Sequence, residues 1–292
     1  MPIMDTPAPS PSHDAQLAVQ AALSGAAVVR AMYGTSLARV DKGGGDFATA
    51  ADLAAEEAIL DVLRRARPGD AVTGEESGRG GAEGAARRWL VDPLCGTLNY
   101  AVRTMLVGVN VALQVDGSTT AAATADPFNE EVFWTDGDGS GDASGAWLRD
   151  AAGADHLLAP SAASRLVDVN LDPPFPNAPD FSAARLLAAP GFAERFRPRV
   201  VSTTLAVAWV AAGRRAAYVT DGDLRGSVHF AAGIALCRAA GCVVTGLRGE
   251  PVLSGPDGLV VAADTETHAV LLGLVRGQQH GPGSGGDRSV RA

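Results

Sequence analysis

The order of apolar and polar positions divides the chain into helices and strands that alternate over most of its length. Apolar residues repeat at helical spacing from Gln16 to Tyr33, and Gly34 ends this first predicted helix. Asp52 is predicted as the N-cap of a second helix that runs to about Arg65. Beyond it the pattern changes to short apolar and β-branched runs, which indicate strands.

A β-hairpin is predicted in the first half of the chain. The run 105–115 is apolar and β-branched, Asp116-Gly117 follows it, and a second run covers 119–124. The second half alternates helices and strands, with helices at 203–212, 229–240 and 265–275 and strands at 216–219, 242–245 and 259–262. This order predicts a mixed α/β fold, in which an α/β layer packs against an antiparallel half.

The domain organisation predicted from this pattern is two coupled subdomains between two disordered ends. Residues 1–14 are expected to form a disordered leader and residues 277–292 a disordered tail. The N-terminal α+β subdomain is placed at 15–150 and the C-terminal α/β subdomain at 151–276. With 47% hydrophobic residues, the chain can bury a sizeable core.

The charge and the cysteines exclude several classes of protein. The chain has 24 Lys and Arg against 33 Asp and Glu, a net charge of −9, which argues against nucleic-acid and membrane partners. Cys95, Cys237 and Cys242 lack C-x-x-C spacing, which speaks against a disulfide framework or a structural zinc site. Without a signal-peptide pattern, a cytoplasmic location is expected. A homodimer is compatible with such a chain.

One segment carries most of the chemistry. Residues 92–99 read DPLCGTLN, which resembles the Asp-Pro-x-Asp-Gly-Thr-x-Asn signature of the inositol monophosphatase superfamily, with Cys95 in place of the second aspartate. Four further segments resemble elements of that superfamily in the same order, at 46–52, 74–77, 202–213 and 231–241. The resemblance implies an α-β-α-β-α sandwich.

The same resemblance implies where metal ions would bind. The family's carboxylate ligands correspond to Glu75, Asp92, Cys95 and His229, and the last two replace carboxylates that serve one magnesium ion. A thiol is a poor magnesium ligand, so no metal and no cofactor is expected. Glu75 and Asp92 remain as vestigial candidates for a single magnesium ion. They could equally hold their loop by hydrogen bonds.

The two replacements also predict a nucleophile with its base. Ligands of one ion lie within a few ångström of each other, so the fold should bring Cys95 and His229 within hydrogen-bond reach. Asp126, at the end of the return strand of the hairpin, is the first choice for the group that orients the imidazole, and Asp92 is the second. Backbone N–H groups at Gly96 and Thr97 are predicted to form an oxyanion hole.

A Cys–His–Asp set on this scaffold resembles the Dieckmann cyclases of bacterial natural-product pathways. The resemblance implies that a carrier-protein-bound β-ketoacyl-aminoacyl thioester acylates Cys95 and then closes to a tetramic acid. A carrier protein would be the partner. Two alternatives stay open, a magnesium-dependent phosphatase of a sugar or cyclitol phosphate with an altered metal site, and a non-catalytic pseudophosphatase.

Overall fold

The computed structural model describes residues 11–35, 38–43, 46–137, 145–171, 181–252 and 258–278. Most of the predicted leader and tail, at 1–10 and 279–292, lies outside the described residues. His13 and Asp14, which were predicted to belong to the leader, are helical. The Ser12 side chain accepts a hydrogen bond from the Ala15 N–H and caps the helix that begins at His13.

The helices of the described residues are α1 (His13–Met32), α2 (Ala50–Ala66), α3 (Thr97–Ala101), α4 (Ala183–Ala188), α5 (Pro190–Arg195), α6 (Leu205–Ala211), α7 (Ala231–Ala239) and α8 (Thr265–Gly277). The strands are β1 (Arg39–Gly43), β2 (Asp46–Thr49), β3 (Ala71–Gly74), β4 (Gly78–Gly81), β5 (Arg87–Cys95), β6 (Gly108–Val115), β7 (Ser118–Asp126), β8 (Glu131–Thr135), β9 (Ala146–Arg149), β10 (Asp155–Leu157), β11 (Leu166–Val169), β12 (Arg197–Val200), β13 (Ala217–Thr220), β14 (Val243–Thr245) and β15 (Leu259–Ala262).

The larger sheet has eight strands in the order β10-β9-β8-β7-β6-β5-β3-β4. Only β3 and β5 pair in parallel within it, and the other neighbours are antiparallel. The predicted hairpin is confirmed as β6 and β7, and both Asp116 and Gly117 take the positive φ angles that its tight turn requires. β10 follows residue 150 and still belongs to this sheet.

α1 and α2 cover one face of the larger sheet and bury an Ala- and Val-rich core against it. α1 is the one helix in the described ranges that is long and apolar enough to cross a membrane, but half of it is buried, as in a core helix. The N-cap of α2 is Thr49, not Asp52 as predicted. Asp52 is the third residue of the helix, where its carboxylate accepts the Thr49 N–H in a capping box.

β1 and β2 pair as a separate two-stranded sheet, and α6 and α7 form a middle layer between the eight-stranded sheet and a five-stranded sheet. α7 packs on the second face of the larger sheet through Ala232 and Ala235, which meet Leu90 and Ala112. All residues of α6 are buried, and the helix packs beside α7, with each of the two helices in contact with both sheets. The middle layer therefore joins the two halves of the molecule.

The smaller sheet has five strands in the order β12-β11-β13-β15-β14, and α4, α5 and α8 cover its outer face. Five layers result, helices outside both sheets and helices between them. The predicted layered α/β class is thus confirmed. The division at residue 150 stays a prediction.

The close approach of α6 and α7 depends on Gly233, and we expect Gly233→Ala to destabilise the protein. A Cβ at this position would lie 2.8 Å from Cγ1 of Val207 and 2.9 Å from its Cβ. Overpacking of this kind costs about 1–3 kcal/mol, and the better helix propensity of alanine returns about 1 kcal/mol. A net loss of up to about 2 kcal/mol should appear in urea denaturation.

Gly273→Ala in α8 is the matched control for that substitution, because a Cβ there meets nothing within 4 Å. Its free energy of unfolding should be unchanged or rise by up to about 1 kcal/mol. Equal stabilities of the two variants would contradict the close packing of α6 against α7.

Candidate active site where β5 meets α6 and α7

The site is built at the end of β5, in the interior of the larger sheet. β5 lies between β3 and β6, and its pairing with β6 shifts register between Asp92 and Cys95, around Pro93, which has no N–H to donate. Gly96 then turns the chain into α3 with a φ of 108°. A Cβ at Gly96 would lie 2.8 Å from the Leu106 carbonyl oxygen, so the turn needs glycine.

Asp92 is a fully buried carboxylate whose charge is matched by His229. Its Oδ2 lies 2.8 Å from Nδ1 of His229 and accepts a longer hydrogen bond of 3.3 Å from Asn110. Burial alone would raise the pKa of Asp92, but the charge and hydrogen bond of His229 outweigh burial and lower it. Burial would lower the pKa of His229, and Asp92 raises it well above its ordinary value. The two groups form an ion pair.

Cys95 is 9% exposed, and its sulfur accepts two hydrogen bonds from the residue that precedes α6. The N–H of Thr204 lies 3.2 Å from Sγ and the Thr204 hydroxyl lies 3.0 Å from it. Burial and the charge of Asp92 raise the pKa of the Cys95 thiol, and the hydrogen bonds of His229 and Thr204 only partly offset them. A nucleophilic cysteine has the opposite shift, a lowered pKa.

Glu75 follows β3 and faces the Asp92–His229 pair. Its Oε1 accepts a hydrogen bond of 3.0 Å from Lys42, and its Oε2 lies 4.0 Å from Nδ1 of His229. Burial, and next the charge of Asp92, raise the pKa of Glu75 to about 8. Glu75 is therefore protonated near neutral pH, while Asp92 stays ionised beside it.

Two buried carboxylate oxygens lack a donor when both groups are ionised, Oε2 of Glu75 and Oδ1 of Asp92. Buried carboxylate oxygens are normally satisfied by donors or by a cation. Beside them, one ligand atom each from Asp92, Cys95 and His229 lies within 4.8 Å of the other two. The site can therefore hold a proton or a metal ion between its acidic groups.

The structure places Asp126 outside this cluster. Its carboxylate accepts hydrogen bonds from the N–H groups of Phe128 and Asn129, both at 3.0 Å, and from the Asn129 amide at 2.7 Å. The expectation that Asp126 orients the imidazole is wrong, because β7 lies two strands away from β5, roughly 10 Å across the sheet. Asp92 makes that contact instead.

Thr97 and Asp52 form a second pair at the start of α3. The Thr97 hydroxyl donates to Oδ1 of Asp52 at 2.9 Å. Burial raises the pKa of Asp52, although hydrogen bonds from Thr49 and Thr97 counteract it. The oxyanion hole proposed at Gly96 and Thr97 stays a prediction.

Three residues that support the cluster were missed from the sequence. Asn110 donates to Thr204 at 2.8 Å and accepts from Thr124 at 2.8 Å, and Lys42 on β1 bonds both Glu75 and Glu76. The only sequence signal for Asn110 was one amide inside an apolar strand. Thr204 and Lys42 had no comparable signal, because their contacts join distant segments.

Comparison with known proteins agrees with this architecture. The model of the inositol monophosphatase family matches residues 10–280. A probable inositol 1-monophosphatase of Mycobacterium tuberculosis, ImpA, is 34% identical over 248 residues, which are 81% of this chain and 84% of the relative. The Nus factor SuhB of Escherichia coli is 32% identical over 239 residues, 80% of this chain and 85% of the relative. The structure of SuhB from Bartonella henselae has a TM-score of 0.78 at 26% identity, and covers 90% of this chain and 98% of its own.

The chain belongs to the inositol monophosphatase family. The prediction of a Dieckmann cyclase acting on a carrier-bound thioester is wrong, because the relatives are named as inositol monophosphatases or SuhB. The physical chemistry of the site agrees with this correction. Burial and the charge of Asp92 raise the pKa of the Cys95 thiol, although Asp92 holds the imidazole as the third member of a triad would.

The raised pKa of Glu75 predicts how stability depends on pH in the cation-free protein. Because the pKa of Glu75 rises from 4.5 to about 8 on folding, its contribution to stability is present below pH 4.5 and is lost as pH rises towards 8. Glu75→Gln should therefore be more stable than the wild type at pH 8 by a few kcal/mol, with an upper limit of about 5 kcal/mol, since one pKa unit is about 1.4 kcal/mol. Thermal or urea denaturation in EDTA measures this difference.

Near pH 5 the advantage of Glu75→Gln should largely disappear, and Glu57→Gln on the exposed side of α2 should show no such pH dependence. The same stability difference between Glu75→Gln and wild type at both pH values would refute the raised pKa of Glu75.

Proposed function

We propose that this protein hydrolyses a phosphoric monoester of a polyol, such as a cyclitol or sugar phosphate, at the site formed by Glu75, Asp92, Cys95 and His229. The observation that carries the proposal is the pair of buried carboxylate oxygens without donors, on Glu75 and Asp92. Cations that bind phosphate esters are held by such oxygens. The names of the relatives support the substrate class.

The family implies magnesium, and half of the site fits that ion. Oε2 of Glu75 and Oδ1 of Asp92 are hard, buried oxygen ligands that fit Mg²⁺. The second position, between Asp92, Cys95 and His229, offers a sulfur and a nitrogen, which Mg²⁺ rarely accepts. A cation bound at Glu75 and Asp92 would neutralise charge on the phosphoryl oxygens.

The protein's own proton path runs through Thr97 and Asp52. Since the Thr97 hydroxyl donates to Asp52, its oxygen is left as an acceptor for a proton of the attacking water. As the water oxygen bonds to phosphorus and the ester P–O bond breaks, that proton passes to Thr97 and the Thr97 proton passes to Asp52. The raised pKa of Asp52 makes it a better proton acceptor. Solvent protonates the departing alkoxide.

Phosphate release from a panel of cyclitol and sugar phosphates, with a series of divalent cations, tests the proposed function. The wild type should release phosphate from at least one ester in a cation-dependent reaction. Asp92→Asn should lose at least about 100-fold in kcat, because it removes charge from the cation site. Asp61→Asn, which removes an exposed ion pair with Arg65, is the matched control and should keep full activity. A folded wild type that hydrolyses none of the esters with any cation would overturn the proposal.

The proton path predicts a graded response at position 97. Thr97→Ala should lower kcat by about 10²–10⁴-fold, the usual contribution of general base catalysis, with little change in KM. Thr97→Ser keeps the hydroxyl and should stay within about tenfold of the wild type. If Thr97→Ala and Thr97→Ser have equal kcat values, then the hydroxyl does not carry the proton.

A further inference from the structure

We infer that the cation position between Asp92, Cys95 and His229 binds a thiophilic divalent transition metal, with Zn²⁺ the expected ion, where the family's chemistry would place magnesium. The three side chains offer one oxygen, one sulfur and one nitrogen within 4.8 Å of one another. Thiolate and imidazole ligands favour zinc over magnesium. Three protein ligands that leave one position open are typical of catalytic zinc sites.

The spacing of the ligand atoms suits a small tetrahedral ion. Zinc bonds of about 2.0–2.3 Å place tetrahedral ligand atoms about 3.3–3.8 Å apart, and the ligand atoms of the three residues here all fall within 4.8 Å of one another. Nδ1 of His229 and Oδ2 of Asp92 lie nearer to each other, at 2.8 Å, because they share a proton. Asp92 also carries a second oxygen, Oδ1, that is buried and without a donor.

A directed chain of hydrogen bonds ends on the sulfur of Cys95. The Thr124 hydroxyl donates to Asn110, the Asn110 amide donates to Thr204, and the Thr204 hydroxyl donates to Sγ. The N–H of Thr204 donates to the same sulfur. Because each donor is fixed by the one before it, the sulfur is an acceptor of two hydrogen bonds. Metal-bound thiolates are held by outer hydrogen bonds of this kind.

The charges of the position also match one divalent ion. An Asp92 carboxylate and a Cys95 thiolate carry two negative charges in a buried place, and a divalent cation neutralises both. Lys42, the nearby cation on β1, is already bonded to Glu75 and Glu76. Binding at this position deepens the proposed function, since it names the second ion of that site.

Cobalt substitution tests the inference by spectroscopy, without an activity assay. One equivalent of Co²⁺ added to the full-length, EDTA-treated protein should give a thiolate-to-cobalt charge-transfer band in the near ultraviolet and tetrahedral d–d bands in the visible. Zn²⁺ should displace these bands, and excess Mg²⁺ should not. Cys95→Ser should lose the charge-transfer band, and Cys242→Ser, which removes a cysteine outside the site, should keep it.

Two further variants separate ligation from folding. Thr204→Val should weaken zinc binding by about 10–100-fold in competition with a chromophoric chelator, the usual effect of losing an outer hydrogen bond. The double variant Cys95→Asp with His229→Asp should bind Mg²⁺ more tightly than the wild type, measured by calorimetry.

The inference is overturned if the wild type shows no charge-transfer band, if the band persists in folded Cys95→Ser, or if Mg²⁺ removes it as readily as Zn²⁺. A protein that binds cobalt through Cys95 but releases no phosphate from any ester would refute the proposed hydrolase and leave the metal site standing. The two proposals can therefore fail separately.

Discussion

The burial of Asp92 is the constraint to which the rest of the site responds. β5 carries this carboxylate into the interior of the larger sheet, where an uncompensated charge would cost several kcal/mol. His229 compensates the charge, and it can do so because its neighbour Val228 packs with α7 against the sheet. The position of the imidazole is therefore set by the packing of an apolar layer, and not by the polar contact alone.

The same layer delivers the groups that surround Cys95. The sheet supplies Asp92 and Cys95, the start of α6 supplies Thr204, and the turn before α7 supplies His229. The approach of α6 to α7 at Gly233 fixes the distance between the last two. A substitution between α6 and α7 would move Thr204 and His229 together, and with them the hydrogen bonds to the Cys95 sulfur and the Asp92 carboxylate. The packing of the core and the geometry of the site are therefore coupled.

The fold and the members of the site followed from the sequence to different extents. The motif at 92–99 marked Cys95 and Asp92, and the order of elements indicated the layers. The choice of Asp126 failed because chain order shows only that the hairpin returns to the same edge of the sheet. It does not show that β6 lies between the strand of Asp126 and the strand of Cys95. Asp52 located the start of α2 to within three residues. In a capping box the N-cap residue and the third helical residue bond each other's backbone, and here Thr49 is the N-cap and Asp52 the third residue. Asn110 and Thr204 act through contacts that no local pattern encodes.

The raised pKa of the Cys95 thiol has a physical origin in burial and charge. A cysteine with a nearby histidine predicts a nucleophile only if the imidazolium charge is available to stabilise the thiolate. Here burial removes the solvent that would otherwise stabilise a thiolate, and the charge of Asp92 opposes a second negative charge on the sulfur. A divalent ion held by Asp92, Cys95 and His229 would reverse this balance, because its charge would exceed that of the imidazolium and would stabilise the thiolate. The replacement of two carboxylates by a thiol and an imidazole is thus better explained by a change in which metal ion binds than by the loss of metal binding.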